Sequence, residues 1–481
     1  MTSTLPRGGA GYRVARGLPV LLASLMVVGV VLGFRIEPRL DFVAAGVSIV
    51  VGGTLVSRAA GLSLRRLTVP GVWYYSYLTT TIVPAMLVAS EIHTRYVPPF
   101  LFAVVITLFT APLGMWLVNI ASGGGRHQVQ AFFQTPVDRR PPGTPELAAF
   151  VVVLAVTLVL TAGYLIETPV IPLLYLLRNP GSALIVVGLR EESFKLLNSP
   201  FVYFYDIVRN VVYPFLIALA LGYYLLTRRL LWLVLFLGTA GIGVFYAAAS
   251  IAKTPVAVIM LVTALFVYLY RSGRFGWRTI VFSFLAVFVF PVAVVFQSFS
   301  GMGFQASDIA LAIVRRVFYV PAEVLYNYFV VVPDIVPYLN GRTIGRVQWI
   351  LGESNNINIA NFVFQRMFPT RLESGLANTS FLGYLHADFG LPGILLGGAL
   401  AGALMQLCQL WLSRRPKTMV TLAAYAYFLW VAWKVNSQSL TQILLSGGAV
   451  VILLLVGTLR HGAAFFAMST ARPPGSETER S

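Results

Sequence analysis

The chain has 481 residues, of which 58% are hydrophobic and only 11% are charged. A soluble protein of this length carries about 25% charged residues, so the composition excludes an ordinary soluble enzyme. The formal net charge is +18, yet the basic residues form no single patch of the kind that binds nucleic acid. A lone cysteine, Cys408, excludes intramolecular disulfides and cysteine-based metal clusters.

Apolar runs that approach the roughly 20 residues needed to cross a bilayer recur along the chain. The first follows Arg7, Arg13 and Arg16 without a small-residue cleavage site after it, which indicates an uncleaved signal anchor. The runs predict an all-α polytopic integral membrane protein, a single membrane domain over 1–481, with about 12 transmembrane helices. The predicted spans are 17–34, 41–57, 73–90, 98–119, 147–166, 210–227, 230–250, 254–270, 279–297, 389–412, 418–434 and 441–459.

Basic clusters between the runs set the predicted orientation. With a cytoplasmic N-terminus, most lysines and arginines of the short loops fall on the cytoplasmic side, and so do both termini. The last residues, 472–481, are expected to form a disordered tail. Two long extracytoplasmic loops then follow, 167–209 and a large loop at 298–388 before the last three spans. Apolar residues recur every three or four positions at 308–329 and 354–368, which predicts short amphipathic helices in the large loop.

Several motifs are absent from the sequence. It has no GxxxxGK[ST] phosphate-binding loop, no GxGxxG after a strand and no DxD-type carboxylate pair, so nucleotide chemistry has no obvious site. Four scattered histidines offer no metal-ligand spacing, and we predict neither a metal nor a cofactor. These histidines are His93, His127, His386 and His461.

Ionisable side chains in or beside apolar runs are costly, by about 2.5–3.5 kcal/mol each, and so suggest a function. Those on the predicted extracytoplasmic side include Lys253, Arg209, Arg315 and Arg316. Several cations on one side suit a diphosphate, which arginine binds in a bidentate way and lysine as a point charge. Snorkelling to the interface is the alternative for Lys253 and Arg209. Arg315 and Arg316 point about 100° apart on a helix, so at most one of them easily faces a single site. The other arginine would then pair with lipid phosphates or with Glu323.

The stretch ANTSFLGYLHADFGLPG, residues 377–393, places polar groups in front of a glycine-rich apolar run. If 379–393 is helical, one face holds Thr379, Gly383, His386, Gly390 and Gly393. His386 and Asp388 would lie about 200° apart on such a helix, so they are not predicted to form a catalytic dyad.

The histidine and the glycines of this stretch have different explanations. His386 is either a hydrogen-bonded histidine at the membrane interface or a group that accepts a proton from, or orients, a substrate hydroxyl. The glycines Gly393/Gly397 and Gly398/Gly402 form small-xxx-small pairs, which predict close contact between helices.

Three segments resemble a known family. RRVFYVPAEVLYNYF (315–329), SNNINIAN (354–361) and NTSFLGYLHADFGLPG (378–393) resemble the Wzy-type polymerases, which join oligosaccharide repeat units of bacterial surface polysaccharides. The plan of about 12 spans with one large loop before the last three is also similar. The resemblance covers roughly residues 200–412, and the N-terminal third shares only the topology.

The resemblance implies a metal-independent, inverting glycosyltransferase of the integral-membrane type in the bacterial inner membrane. Its donor would be a glycan on undecaprenyl diphosphate, and its acceptor a second lipid-linked repeat unit. Membrane lipid and a chain-length regulator protein are the implied partners, with no nucleic acid and no cofactor.

Site roles follow from the resemblance and from the cations together. Arg315 or Arg316, with Lys253 and Arg209, would hold the donor diphosphate and stabilise its departure. His386 would accept or orient the attacking sugar hydroxyl. The sugar-contacting candidates are Asn355, Asn356, Asn358, Asn361, Asn378, Thr379, Tyr326 and Tyr328.

Two other functions remain open at this point. A ligase that passes a finished glycan to another acceptor would use the same donor site, so the sequence barely separates it from a polymerase. A transporter or flippase of lipid-linked sugars would predict an inverted repeat and broken helices that meet at mid-membrane.

Overall fold

The computed structural model describes residues 40–59, 66–123, 125–179, 202–251, 253–271, 315–344, 358–369 and 375–470. Every regular element in these ranges is helical, which confirms the predicted all-α class. The helices are α1 Leu40–Ala59, α2 Val69–Tyr77, α3 Val83–Glu91, α4 Val97–Ala121, α5 Gly125–Gln134, α6 Thr144–Glu167, α7 Pro172–Arg178, α8 Val202–Ile207, α9 Tyr213–Thr227, α10 Leu230–Ala249, α11 Lys253–Arg271, α12 Val320–Val331, α13 Ile359–Met367, α14 Phe381–Ser413, α15 Met419–Lys434, α16 Leu440–Leu444 and α17 Ala449–Thr470. Five-residue π-turns lie at Leu78–Ile82, Val208–Val212 and Arg315–Tyr319.

Seven of the described helical segments are long and apolar enough to cross a membrane. They are Val97–Ala121, Thr144–Glu167, Val202–Thr227, Leu230–Ala249, Thr254–Arg271, Phe381–Ser413 and Leu440–Arg460. Large apolar side chains project outward from them, and Val159, Ile166 and Leu230 each expose more than 70% of their surface. Lipid, rather than water, is the solvent that suits such surfaces, and an α-helix satisfies its backbone hydrogen bonds within lipid. The chain is therefore a polytopic membrane protein.

Several predicted spans match observed helices closely. The span predicted at 98–119 is Val97–Ala121, and the one at 147–166 is Thr144–Glu167. The predicted spans 17–34 and 279–297, like the tail at 472–481, lie outside the described residues. The total of about 12 spans stays a prediction.

In each of the two long predicted loops, 167–209 and 298–388, a helix begins before the predicted end of the loop. Val202–Thr227 is helical from well before the predicted start at 210. Its polar residues bond one another, because Arg209 and Asn210 both donate to Asp206, so the charges do not end the helix. In the large loop, the chain becomes helical at Phe381, before the predicted span that begins at 389.

The described residues form two compact units. The first contains those up to Ala131, those from 315 to Ser413, and Ala432–Thr441. The second contains those from Phe132 to 271, Arg414–Val431, and those from Gln442 onward.

The core of the first unit depends on close contact between α4 and α14. A Cβ added to Gly402 would meet the carbonyl of Ala111, and one added to Gly114 would meet the carbonyl of Ala399. A Cβ on Gly398 would meet the side chain of Thr110 in the same way. The predicted close approach at Gly398/Gly402 is therefore confirmed.

Helix α14 reverses direction at Gly390. This residue has φ 63° and ψ −146°, a conformation that favours glycine. A Cβ on Gly397 would meet the side chain of Leu385, although a straight helix would separate these residues by about 18 Å. Residues 381–389 (arm 1) therefore fold against residues 391–413 (arm 2). The shared face considered for a helix over 379–393 therefore does not form, because the chain is helical only from Phe381 and breaks at Gly390.

The second unit is built around α9, which packs against α10 and α11. Gly222 of α9 lies against the ring of Phe266 in α11. Tyr213, at the start of α9, shares a hydrogen bond of 2.8 Å with Thr161 of α6. The Phe266 ring thus packs between α9 and α11, and the Tyr213 hydroxyl joins α9 to α6.

Candidate functional site

A row of side chains runs along one face of α12 and the π-turn before it. We call it the polar stripe, and it consists of Arg315, Tyr319, Glu323 and Tyr326. The spacing of three or four residues places these side chains on one side of a helix. The stripe faces the end of α3 and the connection to α4. Tyr319 donates a hydrogen bond of 2.5 Å to Glu91, and Tyr326 bonds Thr94 at 2.6 Å.

The cationic end of the stripe is exposed. The Arg315 guanidinium lies 5.2 Å from the centre of the Tyr319 ring, which is within range of a cation–π contact. Arg316 is also exposed. Burial, and then the bond to Glu91, raise the pKa of the Tyr319 hydroxyl, so this group remains a hydrogen-bond donor at neutral pH. The arrangement offers two guanidinium groups to an anion.

His386 lies in a second group of polar residues, on arm 1. Its ring stacks on Phe329 with 3.9 Å between ring centres, and its Nε2 lies 2.9 Å from the carbonyl oxygen of Val332. The residue is only 7% exposed. Its Nδ1 is buried, with no hydrogen-bond partner among the described residues. His386 thus holds the chain after α12 against arm 1, and the described residues around it bury its ring.

Helix α12 and arm 1 run in the same direction. Leu325 lies beside Gly383, and Phe329 lies beside His386, so residue numbers rise together on the two segments. Arg315 and Phe329 are about 20 Å apart along the helix axis. The structure therefore does not bring Arg315 and His386 together, and the predicted pairing of these residues around one glycosidic bond is corrected.

The tyrosines predicted to contact sugars are engaged within the protein. Tyr328 is fully buried and donates a hydrogen bond of 3.1 Å to the carbonyl of Ala377. Tyr326 is also buried, and its hydroxyl bonds Thr94. Both rings are buried in the first unit, which argues against their predicted role in contacting sugars.

The predicted asparagines mostly organise the backbone around α13 and arm 1. The Asn358 side chain caps α13 by accepting a hydrogen bond of 3.2 Å from the N–H of Asn361. Asn361 donates from its own side chain to the carbonyl of Gly375 at 3.0 Å. Asn378 accepts a hydrogen bond of 3.3 Å from the hydroxyl of Tyr384.

The remaining predicted sugar contacts divide into two cases. Thr379 is buried, and its hydroxyl has no hydrogen-bond partner among the described residues. Asn355 and Asn356 lie outside the described residues.

The other two predicted diphosphate ligands belong to the second unit. Arg209 is buried in a π-turn, where it forms an ion pair of 2.7 Å with Asp206 and a hydrogen bond of 2.9 Å to Ser250. Its charge is therefore already compensated, which argues against its predicted role in holding a diphosphate. Lys253 is the first residue of α11.

Sequence reasoning missed an exposed ion pair near the stripe. Asp334 bonds both Arg95 and the hydroxyl of Tyr96. Together these contacts tie the chain after α12 to the connection between α3 and α4. The only signal in the sequence is the charged segment EIHTRY (91–96) between two apolar helices. In the part of the chain that the structure describes, no group of three His, Cys, Asp or Glu side chains is placed to hold a metal ion.

Replacing Asp334 with asparagine is expected to lower the thermal midpoint of the protein slightly at pH 7, and by less at high salt. The hydrogen bond from Tyr96 and the nearby charge of Arg95 lower the pKa of Asp334 below its ordinary value of 3.8. Its stabilising contribution is thus complete above that value and is lost as the pH falls through the folded-state pKa. Thermal scans of both proteins between pH 7 and pH 3 test this, and a difference in midpoint that grew on acidification would contradict it.

Replacing His386 with alanine is expected to cost about 3 kcal/mol of stability, because the change removes a stacked buried ring and leaves the Val332 carbonyl unpaired. Thermal unfolding followed by size-exclusion chromatography measures the loss. His127→Ala is the matched control, because His127 is exposed on α5. Equal midpoints for the two variants would show that the His386 contacts contribute nothing to the fold.

No protein-family model, curated protein or solved structure matches this chain.

Proposed function

We propose that the chain is an integral-membrane glycosyltransferase that polymerises oligosaccharide repeat units carried on undecaprenyl diphosphate. The observation that carries this proposal is the exposed pair Arg315 and Arg316 at the start of the polar stripe. Guanidinium groups match the geometry of phosphate oxygens and remain charged at any physiological pH. Two adjacent guanidinium groups suit a leaving diphosphate.

The position of the stripe supports a lipid-linked donor. Glu91 is the last residue of α3, and Thr94 lies just before α4, a helix long and apolar enough to cross the membrane. The stripe therefore faces a connection that leads into a spanning helix, and such a position suits the diphosphate of a polyprenyl lipid. The distribution of basic residues favours the extracytoplasmic side of a bacterial inner membrane for this connection, with both termini in the cytoplasm.

In this proposal the first unit supplies the leaving-group site. Arg315 and Arg316 bind the diphosphate of the donor glycan and stabilise the negative charge that develops as the glycosidic bond breaks. A hydroxyl of the second lipid-linked repeat unit attacks the anomeric carbon, so the acceptor grows by one transfer. His386 has a positioning role in the fold, since its ring is enclosed by Phe329 and the Val332 carbonyl.

Product analysis tests the proposed function. A strain that lacks the protein is expected to accumulate surface glycan with single repeat units, and the plasmid-borne gene is expected to restore the polymer ladder on a gel. Long polymer that stays unattached in the deletion strain would instead identify a ligase. Purified protein in micelles should convert lipid-linked repeat units into longer products and release undecaprenyl diphosphate.

One observation favours a second candidate, a transporter of lipid-linked sugars. Breaks in spanning helices line substrate paths in transporters, and α14 reverses at Gly390. The micelle experiment separates the two functions, because a transporter leaves the lipid-linked unit chemically unchanged.

A further inference from the structure

Glu323 is the carboxylate in the middle of the polar stripe. It lies four residues after Tyr319 and three before Tyr326, and both of these neighbours bond groups at the α3–α4 connection. The Glu323 side chain is half-buried, and its carboxylate makes no hydrogen bond or ion pair with the described residues. A partly desolvated carboxylate that no hydrogen bond stabilises costs free energy, so Glu323 is a candidate functional residue.

The groups that face Glu323 give it the properties of a base. Burial raises the pKa of Glu323, the positive charge of Arg315 lowers it, and the negative charge of Glu91 raises it again. The Glu91 carboxylate already accepts a hydrogen bond from the hydroxyl of Tyr319. The Glu323 carboxylate accepts no hydrogen bond from the described residues, and its raised pKa means that it accepts a proton more readily than an exposed glutamate does.

Arg315 and Glu323 lie on one face of the helix, on either side of Tyr319. Arg315 and Glu323 are about 12 Å apart along the helix axis, and the Arg315 guanidinium lies over the ring of Tyr319, between the two positions. We propose that Glu323 is the catalytic base that activates the acceptor hydroxyl, an inference that rests on the proposed glycosyltransferase function.

The step balances with the groups already named. The Glu323 carboxylate takes the proton of the acceptor hydroxyl as its oxygen forms a bond to the anomeric carbon of the donor. The bond between that carbon and the diphosphate oxygen breaks, and its electron pair leaves with undecaprenyl diphosphate. Arg315 and Arg316 bind the departing anion, and protonated Glu323 then releases its proton to water.

Glu323→Gln tests this assignment, because it keeps the shape of the side chain and removes the base. In a micelle assay with a lipid-linked repeat unit, kcat is expected to fall by about 100-fold or more while KM for the donor changes by less than about threefold. The kcat of the native protein should fall at acidic pH with an apparent pKa above that of an exposed glutamate, and this fall should be absent in the residual activity of Glu323→Gln. Glu167→Gln, which removes an exposed carboxylate at the end of α6, is the matched control and should leave kcat unchanged.

The outcomes separate the inference from the function on which it rests. Native-like kcat or an unchanged pH profile in Glu323→Gln overturns the role of Glu323 and leaves the transferase intact. A native protein that forms neither polymer nor free undecaprenyl diphosphate overturns the proposed function. If Glu323→Gln does not fold, Glu323→Asp decides, since a shorter base should lower kcat and shift its acid limb, whereas an unshifted limb refutes the assignment.

Discussion

Polymer formation is expected to fall by about 100-fold or more when Arg315 and Arg316 are both replaced by glutamine. The double variant removes two exposed positive charges from the start of the polar stripe and leaves shorter, neutral, polar side chains in their place. The loss should appear in kcat, because the negative charge on the diphosphate grows as the glycosidic bond breaks. Release of undecaprenyl diphosphate from a purified lipid-linked substrate measures the rate, and gel electrophoresis measures polymer length.

The single variants distinguish the two arginines. Arg315 already contacts the Tyr319 ring, so Arg315→Gln should also disturb the stripe around Glu323. Arg316→Gln removes an exposed charge alone and should act mainly on the diphosphate. Arg366→Gln is the matched control, because it removes an exposed arginine at the end of α13 in the same unit. Full polymer length in the double variant would remove both arginines from the site and end the proposed role of the stripe.

The helices were predictable because lipid imposes a simple rule on sequence. Apolar runs of sufficient length must be helical in a bilayer, and the observed bounds of α4 and α6 follow the predicted spans closely. The small-residue pair Gly398/Gly402 likewise predicted a close helix contact, because its spacing places both glycines on one face. Both predictions depend only on the pattern of neighbouring residues in the sequence, so no long-range contact was needed to make them.

The reversal of α14 was not predictable from the same patterns. Gly390 and Gly393 fit a small-residue face on a continuous helix as well as they fit a break. The actual conformation, with positive φ at Gly390, is stabilised by packing of arm 1 against arm 2, as at Leu385 and Gly397. That contact is tertiary, so helical periodicity carried no sign of it.

The separation of the predicted site residues was unpredictable for a similar reason. Sequence reasoning selected Arg315 as a cation and His386 as a base, since both looked expensive to place in a membrane. It could not show that Phe329 encloses His386, or that Tyr319 bonds Glu91 from 228 positions away. Residue type indicated the chemistry, whereas the partners that decide each role came from long-range contacts.

The contact between α4 and α14 provides the strongest test of the fold. Gly402→Ala is expected to cost about 3 kcal/mol of stability, because the new methyl group would overlap the backbone carbonyl of Ala111. Backbone cannot rotate away as a side chain can, so the two helices must separate. Gly114→Ala should have a similar effect, since its methyl group would meet the Ala399 carbonyl from the other side of the same contact.

Gly457→Ala is the matched control for this substitution. A Cβ at Gly457 in α17 has no neighbouring atom within 4 Å, and alanine favours helix over glycine by about 1 kcal/mol. Thermal unfolding of the detergent-purified variants, followed by size-exclusion chromatography, should therefore rank Gly402→Ala and Gly114→Ala well below the native protein and Gly457→Ala at or above it. A Gly402→Ala variant as stable as the control would mean that α4 and α14 do not meet at these glycines. Because α14 also carries arm 1, which packs against α12, separation of α4 from α14 should reduce activity together with stability.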